Sequence, residues 1–389
     1  MPGAAPEPPV LPVAEIEIEA GAGGTPRLVI LVPSLELSQL TGGPNTALHL
    51  GARVAARGVP VRFVATHGGV EALDGALAGH VSRLVGGADR ALPISYESVL
   101  GPGRPLRLAR GDVLVATWWP TAYLAAAAIE QTGAADFIYL IQDFEPGFYP
   151  WSTNYALAEA TYSMPMRAIF NDRLVEAHFV AGGIGRFRDA AASATSITFE
   201  PAVDATLFRP RPRTGPRRLL FYARPSKPRN LYPLGLHALR SAAAGGTFQG
   251  WDLQSIGERI GRQALGDDAV LEPTPWLDVQ GYAELLGTSD VLLSLMLSPH
   301  PSYPPLEMAA SGGIVITNTF GVKTAAALAT VSPRIRAVEP EVGALAAALR
   351  AAVAGPREEA PGQTGVPHSW DRALEPVVDW ILSGLGRSD

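Results

Sequence analysis

The chain has 389 residues, of which 47% are hydrophobic and 17% charged, with a formal net charge of −6 and no cysteine. This length favours two domains over one, and this composition is typical of a well-buried globular protein. The acidic balance argues against a general nucleic-acid surface, and the lack of cysteine excludes disulfides, thiolate metal sites and cysteine nucleophiles.

The start of the sequence shows no pattern for secretion or membrane insertion. It contains no signal-peptide pattern and no apolar run of about 18 residues, the length of a membrane-spanning helix. Residues 1–24 are rich in Pro, Gly, Ala and Glu, and we expect them to form a disordered arm. We therefore expect a cytoplasmic protein, with peripheral contact at the inner face of a membrane left open.

The first half of the chain alternates buried strands with helices. Continuous apolar runs predict strands at residues 27–33, 61–65, 112–117, 137–141 and 167–170. Helical patterns occupy residues 46–57, 121–131, 151–162 and 172–180. Gly42 and Gly43 stand just before the first of these helices, where a glycine turn can bring backbone amides against a phosphate or a sugar, or can serve only as a turn.

The second half repeats the alternation. A Pro- and Arg-rich stretch, residues 208–216, has the composition of a linker. Strands are predicted at 217–223, 251–256, 290–295, 313–317 and 335–338, with helices at 231–244 and 369–385. Alternating strands and helices in both halves predict an α/β protein with two doubly wound domains that face one another.

The loop after the strand at 290–295 carries the most informative motif. His300, Ser302 and Tyr303 precede two prolines, which suit the first turn of a helix because they need no partner for an N–H. We expect the free amides of that turn to form an anion site, with Glu307 inside the same turn and within reach of a ligand. The alternative is a strand–helix crossover that binds no ligand.

Three cations follow the first strand of the second half. Arg224, Lys227 and Arg229 stand where open α/β sheets bind ligands, so they suit a diphosphate clamp, although a solvated basic loop would look the same. Only Lys227 and Lys323 among the 31 basic residues are lysine. Each lysine follows a strand-like run. Either these two positions require the compact ammonium of lysine, or the lysines were retained by chance.

Polar side chains also follow the strand at 137–141. A carboxylate of Asp143 or Glu145 there can orient an acceptor hydroxyl or accept its proton. The alternatives are a capped helix entry, a structural hydrogen-bond hub, or a metal-binding Asp-x-Glu pair. Because no second acidic or histidine cluster stands nearby in the sequence, we predict no metal and no cofactor. Trp118, Trp119 and Trp151 can offer faces to a sugar or pack in the core.

These motifs carry a resemblance to a known family. The glycine pair before the first helix, the Arg–Lys loop and the sequence Pro-Pro-Leu-Glu-Met-Ala-Ala-Ser-Gly at 304–312 resemble the GT-B glycosyltransferases of family 4. Within that group, residues 139–152, 224–235 and 298–313 closely resemble the WsaF-type rhamnosyltransferases of bacterial surface-glycan synthesis. The resemblance covers the chain from about residue 28 to about residue 380.

The resemblance implies a GT-B fold of two Rossmann-like, doubly wound domains on either side of a central cleft. It implies an acceptor domain at 25–207, a nucleotide-sugar domain at 208–365, and a C-terminal helix within 366–389 that crosses back onto the first domain. The implied reaction is a retaining transfer of rhamnose from dTDP-rhamnose to a hydroxyl of a growing, lipid-linked surface glycan.

The residues and the resemblance together predict site residues in three groups. Donor-binding residues are Gly42, Gly43, Arg224, Lys227, Arg229, His300, Ser302, Tyr303, Glu307 and Lys323. Acceptor-binding residues are Trp118, Trp119, Gln142, Asp143, Glu145 and Trp151. Catalytic residues are Asp143, Glu145, Arg224 and Lys227.

One departure from the wider family leaves the donor open. That family places another glutamate eight residues before Glu307, where this chain has Pro299. A UDP- or GDP-hexose donor is therefore an alternative, as is a non-catalytic nucleotide- or glycan-binding protein. A nucleotide-sugar 2-epimerase would need a carboxylate cluster that the sequence does not assemble. A Rossmann oxidoreductase is disfavoured because no Gly-x-Gly-x-x-Gly follows either first strand.

Overall fold

The structure, a computed structural model, describes residues 11, 15–19, 26–37, 42–69, 75–87, 91–101, 103–266, 269–357 and 364–385. The chain divides into two compact units. Unit 1 comprises residues 1–199 and 371–389, and unit 2 comprises residues 200–370. Each unit is built on a mainly parallel sheet with helices, which confirms the predicted α/β class.

Unit 1 has a parallel sheet at its centre. The strands of unit 1, in chain order, are β1 (Ile16–Ile18), β2 (Leu28–Val32), β3 (Val61–Ala65), β4 (Ile94–Ser98), β5 (Leu106–Leu108), β6 (Val113–Ala116), β7 (Phe137–Ile141), β8 (Met166–Asn171) and β9 (Ile197–Phe199). Within the described ranges, seven of them pair in the order β4-β3-β2-β6-β7-β8-β9, and all of these pairs are parallel. The helices of this part are α1 (Gly43–Ala56), α2 (Ala76–Arg83), α3 (Trp119–Thr132), α4 (Thr153–Ala160), α5 (Arg173–Gly182) and α6 (Ala190–Ala194).

Part of the predicted disordered arm is a strand. β1 pairs in parallel with β5, and Arg107 Nε donates to Glu17 Oε2 at 2.9 Å. Ile16 and Ile18 pack against the core while Glu17 faces the other way, which is the period of a strand. The prediction of disorder is wrong for these residues because average composition hides a three-residue alternation. Residues 1–10, 12–14 and 20–24 lie outside the described residues.

Unit 2 has a second mainly parallel sheet. Its strands are β10 (Arg217–Ala223), β11 (Trp251–Gly257), β12 (Gln263–Ala264), β13 (Val270–Pro273), β14 (Val291–Leu293), β15 (Ile314–Asn318) and β16 (Ile335–Val338). In the part of the chain that the structure describes, the order is β12-β13-β11-β10-β14-β15-β16, and the short β12 is antiparallel to β13. β10 and β14 lie side by side where the strand order reverses, which is where open sheets bind ligands.

The remaining helices are α7 (Tyr232–Ala243), α8 (Val279–Thr288), α9 (Tyr303–Ala310), α10 (Ala325–Val331), α11 (Val342–Ala354) and α12 (Trp370–Leu385). Among the described residues, none of the helices combines the length and the apolar character that crossing a membrane requires. α12 from residue 371 onward groups with unit 1, where Arg53 pairs with Asp371 at 2.7 Å and the Arg167 guanidinium lies over the Trp380 ring.

The stretch predicted as a linker, residues 208–216, packs on unit 2. Arg213 Nη2 donates to the Ser311 carbonyl at 3.1 Å, and Arg357 Nη1 donates to the Arg213 carbonyl at 2.8 Å. Unit 2 accordingly begins at Glu200 rather than at residue 208. The composition of the stretch is that of a linker, but Arg213 binds a backbone carbonyl of unit 2 and Arg211 lies 3.9 Å from the Glu284 carboxylate.

The packing of α7 on β10 depends on a glycine. A Cβ atom at Gly235 would lie 2.5 Å from Phe221 Cζ, and the Phe221 ring is itself stacked on Tyr232. At Gly343 in α11, by contrast, a Cβ atom would meet nothing within 4 Å. Replacing each glycine with alanine therefore separates the effect of helix propensity on stability from the effect of packing.

We expect Gly235→Ala to lower the free energy of unfolding although alanine favours helix. The propensity gain is about 1 kcal/mol, whereas overpacking a core costs about 1–3 kcal/mol. Gly343→Ala, the matched control, should be neutral or stabilising. Calorimetric unfolding midpoints of the three proteins test this, and a midpoint for Gly235→Ala at or above the wild type would contradict it.

Candidate functional site

The carboxyl edge of the unit 2 sheet brings two sequence motifs together. The loop that follows β10 and the segment that follows β14 are joined by hydrogen bonds. Asn230 Nδ2 donates to the Leu295 carbonyl at 3.2 Å, and the Leu297 N–H donates to the Arg229 carbonyl at 2.8 Å. The cations at 224–229 and the loop at 298–303 are therefore neighbours, as their positions at adjacent strand ends predict.

The cations differ in their surroundings. Arg224 Nε lies 3.5 Å from Glu258 Oε1, with 35% of the arginine side chain exposed, and Lys227 is exposed. Glu258 also accepts from the Ser226 N–H at 2.9 Å and from the Ser226 hydroxyl. Burial raises the pKa of Glu258, but the Ser226 hydrogen bonds and the Arg224 charge outweigh it and lower the pKa overall. Sequence reasoning missed Glu258, which has no motif of its own.

Glu307 interacts with two tyrosines, Tyr282 and Tyr222. Tyr282 Oη donates to Glu307 Oε2 at 2.9 Å. Burial raises the pKa of Glu307 to about 7, and the Tyr282 hydrogen bond lowers it only in part. Burial also raises the pKa of Tyr222, and Arg224, Glu307 and Arg229 all act on that hydroxyl, the arginines lowering its pKa and the glutamate raising it. The Tyr222 hydroxyl is therefore close enough to Arg224, Arg229 and Glu307 to feel the charge of each.

The start of α9 corrects two expectations. Tyr303 is its first residue, so Glu307 is the fifth and lies beyond the first turn. Pro304 and Pro305 carry no N–H, so among the first three helical residues only Tyr303 has a backbone amide. The expected cluster of free amides is therefore wrong, because the prolines that favour the helix start also remove its donors.

The loop before α9 is strained and internally bonded. Ser302 has φ 73° and ψ 147°, a conformation that costs a residue other than glycine about 1–3 kcal/mol. The Ser302 N–H donates to His300 Nδ1 at 2.9 Å, and the His300 N–H donates to Ser298 Oγ at 3.0 Å. His300 is buried, so its imidazole shapes the loop, while Ser302 and Tyr303 are half-buried at its edge.

Lys323 does not fit its predicted role as a donor ligand. Its side chain is 1% exposed, and Nζ donates to the Met296 carbonyl at 2.8 Å. Asn318 binds the same residue, accepting from the Met296 N–H at 2.8 Å and donating to its carbonyl at 3.1 Å. The ammonium fixes the segment after β14 from inside. Sequence position alone does not reveal that the side chain turns inward.

In unit 1, the glycine turn meets the end of β7. Gly42 has φ 58° and ψ −118°, which favours glycine. A Cβ atom at Gly43 would lie 3.0 Å from Gln142 Nε2, so these two residues touch. Gln142 Oε1 is buried and has no hydrogen-bond partner among the described residues. Thr41, which opens the predicted turn, lies outside the described residues.

Asp143 lies near His178, close enough for its charge to act on the imidazole. Asp143 is 7% exposed, and its Oδ1 accepts from the Phe144 N–H at 2.8 Å. His178 on α5 meets the Phe144 ring edge-on at 5.2 Å. Burial lowers the pKa of His178, and the Asp143 charge raises it. His178 is therefore a polar neighbour of the Asp143 carboxylate that no sequence motif indicated.

Glu145 does not fit its predicted catalytic and acceptor-binding roles. Its Oε2 accepts from the Trp119 N–H at 2.6 Å and from Tyr139 Oη at 3.2 Å, and its own N–H donates to Tyr162 Oη at 3.1 Å. Burial raises the pKa of both tyrosines well above its usual range, and the Glu145 charge adds to this. The residue is a structural hub that joins α3, β7 and the turn at 161–163.

The aromatic candidates separate by exposure. Trp119 is fully buried and its Nε1 donates to Tyr149 Oη at 3.0 Å, so its predicted contact with an acceptor is wrong. Trp118 is half-buried and meets His67 edge-on at 4.8 Å. Trp151 is 94% exposed. Trp118 and Trp151 remain as faces that a sugar can reach.

This architecture is that of the GT-B glycosyltransferases. The chain is similar to sucrose-phosphate synthase from Thermosynechococcus elongatus (TM-score 0.58, 14% identity, 93% of this chain and 98% of the other). It is also similar to trehalose-6-phosphate synthase OtsA (TM-score 0.55, 12% identity, 93% and 99%). A third similar structure is WaaG, a glycosyltransferase involved in lipopolysaccharide biosynthesis (TM-score 0.51, 13% identity, 90% and 95%). At these identities the similarity shows the fold alone.

The chain belongs to the WsaF family. The WsaF N-terminal domain model matches residues 27–173, and the WsaF C-terminal domain model matches residues 217–350. The O-antigen biosynthesis protein RfbC of Myxococcus xanthus is 35% identical over 277 residues, which are 70% of this chain. The matched region spans 20% of the length of that curated relative.

The raised pKa of Glu307 predicts a pH dependence of stability. In the folded chain Glu307 keeps its proton up to about pH 7, whereas its ordinary value is 4.5. The folded state therefore binds the extra proton between these values, and this contribution to stability is lost as the pH rises through them.

We expect the free energy of unfolding of the wild type, relative to Glu307→Gln, to fall as the pH rises from about 5 to 7 and to level off above. Because glutamine does not titrate, the variant is the control for every other titrating group of the wild type. Urea unfolding of both proteins across this range is the measurement. A stability difference that does not change with pH would show that Glu307 is ionised throughout.

Proposed function

We propose that this chain is a glycosyltransferase that moves a sugar from a nucleoside-diphosphate sugar to a hydroxyl of a glycan. The observation that carries the proposal is that the cation loop after β10 adjoins the segment that leads into α9 and Glu307, because the Leu297 N–H donates to the Arg229 carbonyl at 2.8 Å. Guanidinium groups bind phosphate oxygens, and a carboxylate accepts hydrogen bonds from ribose hydroxyls. A nucleoside diphosphate presents both groups in one molecule.

The diphosphate is assigned to the cation loop. Arg224 already faces a carboxylate, Glu258, and a diphosphate can replace that partner with a stronger, charge-assisted one. Lys227 is exposed and adds a mobile ammonium. These cations would stabilise the leaving diphosphate as its charge develops, which lowers the barrier to transfer. With prolines at the start of α9, the cations carry more of this work than backbone amides do.

The ribose is assigned to Glu307. Tyr282 holds its Oε2, so Oε1 can turn to a ligand. The pKa of about 7 means that ribose hydroxyls which donate to this group also favour its ionised form. Ser302 and Tyr303 lie at the edge of the loop that leads into the same helix, and we assign them to the donor sugar.

The acceptor is assigned to unit 1. Gln142 Oε1 is buried without a partner among the described residues, so an acceptor hydroxyl that donates to it would satisfy the atom. Asp143, the next residue, can orient a hydroxyl or accept its proton. Gly42 and Gly43 keep the backbone close to Gln142, and Trp151 offers an exposed ring.

For the substrates we propose dTDP-rhamnose as donor and a growing, lipid-linked bacterial surface glycan as acceptor, with retention of configuration, at the cytoplasmic face of the membrane. The support is the resemblance of residues 139–152, 224–235 and 298–313 to rhamnosyltransferases, together with a relative named for O-antigen biosynthesis. Pro299 stands where the wider family carries a glutamate, which leaves the identity of the donor open. A UDP- or GDP-hexose donor is therefore the second candidate.

The cation assignment predicts a loss of nucleotide affinity. Arg224→Ala and Lys227→Ala should each weaken binding of nucleoside diphosphate by roughly tenfold to a hundredfold, since a charge-assisted hydrogen bond contributes about 1.5–3 kcal/mol. Arg350→Ala, which removes an exposed arginine from α11, is the matched control and should bind normally. Isothermal titration with dTDP, UDP and GDP measures this. Unchanged affinity in both variants would place the nucleotide elsewhere.

The two carboxylates should separate by substrate. Glu307→Gln should raise the donor KM and weaken nucleotide binding by about tenfold, through loss of a charged acceptor. Asp143→Asn should leave nucleotide affinity within error and depress transfer, with donor hydrolysis affected less. Mass spectrometry of the products, alongside titration, measures both. If Asp143→Asn loses nucleotide affinity as severely as Glu307→Gln, the division of substrates between the units is wrong.

A further inference from the structure

A second concave site opens at the carboxyl ends of β15 and β16 in unit 2. It is a pocket of about 460 Å³, within the range of about 300–1,000 Å³ that small-molecule sites occupy. The lining residues that matter to its chemistry are Leu297, Thr319, Phe320, Thr324, Ala325 and Glu339. None of these residues belongs to the cation loop or to the loop at 298–303.

The wall of the pocket is a closed turn. The Phe320 N–H donates to the Lys323 carbonyl at 3.0 Å, and the Lys323 N–H donates to the Phe320 carbonyl at 2.9 Å. Gly321 within the turn has φ 53°. Thr324 then caps α10, with its Oγ1 accepting from the Ala327 N–H at 3.1 Å. The backbone is fixed before any ligand arrives, which lowers the entropic cost of binding.

The polar groups of the pocket suit hydroxyl ligands. Thr319 Oγ1 donates to Glu339 Oε1 at 2.9 Å, so the hydroxyl orients the carboxylate. Glu339 is exposed, and its carboxylate can accept further hydrogen bonds from a ligand. Charge-assisted hydrogen bonds of this kind are stronger than neutral ones.

The apolar groups suit the carbon face of a sugar ring. The Phe320 ring is half-buried, and the Leu297 side chain is 36% exposed. A carboxylate beside an aromatic ring and an aliphatic surface matches a molecule with hydroxyl groups on its edge and C–H bonds on its face.

The pocket is unsuited to phosphate. Its lining contains no Lys, Arg or His. Lys323 belongs to the wall by sequence, but its side chain is buried and its Nζ binds the Met296 carbonyl on the inner side. With Glu339 as the charged lining residue, a nucleotide's phosphates would be repelled. The ligand class is therefore an uncharged carbohydrate rather than a second nucleotide.

We infer that this pocket holds a sugar unit of the glycan, beside the proposed donor site. Leu297 forms part of its wall, and the Leu297 N–H binds the Arg229 carbonyl of the cation loop. A glycan unit held here would lie one strand away from the proposed diphosphate site. The inference goes beyond the proposed function, which assigns the acceptor glycan to unit 1 and places only the donor in unit 2.

Two alanines on α10 provide a matched test. Ala325 lines the pocket, while its neighbour Ala326 is also exposed and does not line it. Ala325→Gln should fill the pocket at little cost to the fold, and Ala326→Gln should change nothing. Glu339→Gln should weaken binding by about tenfold through loss of the charged acceptor.

The measurement is an amide-resolved NMR titration of the full chain with methyl α-L-rhamnoside and with methyl α-D-glucoside. We expect at least one glycoside to shift the amide signals of Gly321 and Thr324, in the wild type and in Ala326→Gln, and these shifts to be lost in Ala325→Gln. The inference is overturned if neither glycoside shifts these signals, or if Ala325→Gln responds like the wild type. Arg224→Ala should keep the response, so a failed nucleotide site and a failed glycan site give different results.

Discussion

The site in unit 2 depends on how the segment after β14 is held. Asn318 binds both the N–H and the carbonyl of Met296, and the buried ammonium of Lys323 binds the same carbonyl. A buried charge without partners costs several kcal/mol, so the carbonyl and the ammonium keep each other in place. The next residue, Leu297, then meets the Arg229 carbonyl, which aligns the cation loop with the start of α9.

In unit 1, a buried side chain of the opposite charge likewise fixes the segment that follows a strand. Glu145 is buried and binds the Trp119 N–H and the Tyr139 hydroxyl, so the polypeptide after β7 is fixed to α3. Its neighbours Gln142 and Asp143 are left at the edge of the sheet. In both units, a buried ionisable residue supports a loop whose adjacent residues are the candidates for chemistry. The supporting residue is not itself the ligand-binding one.

The fold was largely predictable from the sequence, and the roles of individual charges were not. Apolar runs predicted β2, β7 and β10 because parallel strands buried on both faces read as continuous hydrophobic segments. Position after a strand made Lys323 and Glu145 look functional. Whether such a side chain turns outward or inward depends on distant acceptors, such as the Met296 carbonyl, and these do not appear in the local sequence.

A crystal structure of the chain with bound dTDP tests the central claim most directly. We expect the diphosphate between Arg224 and Lys227, a ribose hydroxyl on Glu307, and Lys323 still bound to the Met296 carbonyl. A nucleotide bound away from the carboxyl end of β10, or a phosphate that contacts Lys323 while Arg224 stays on Glu258, would contradict it.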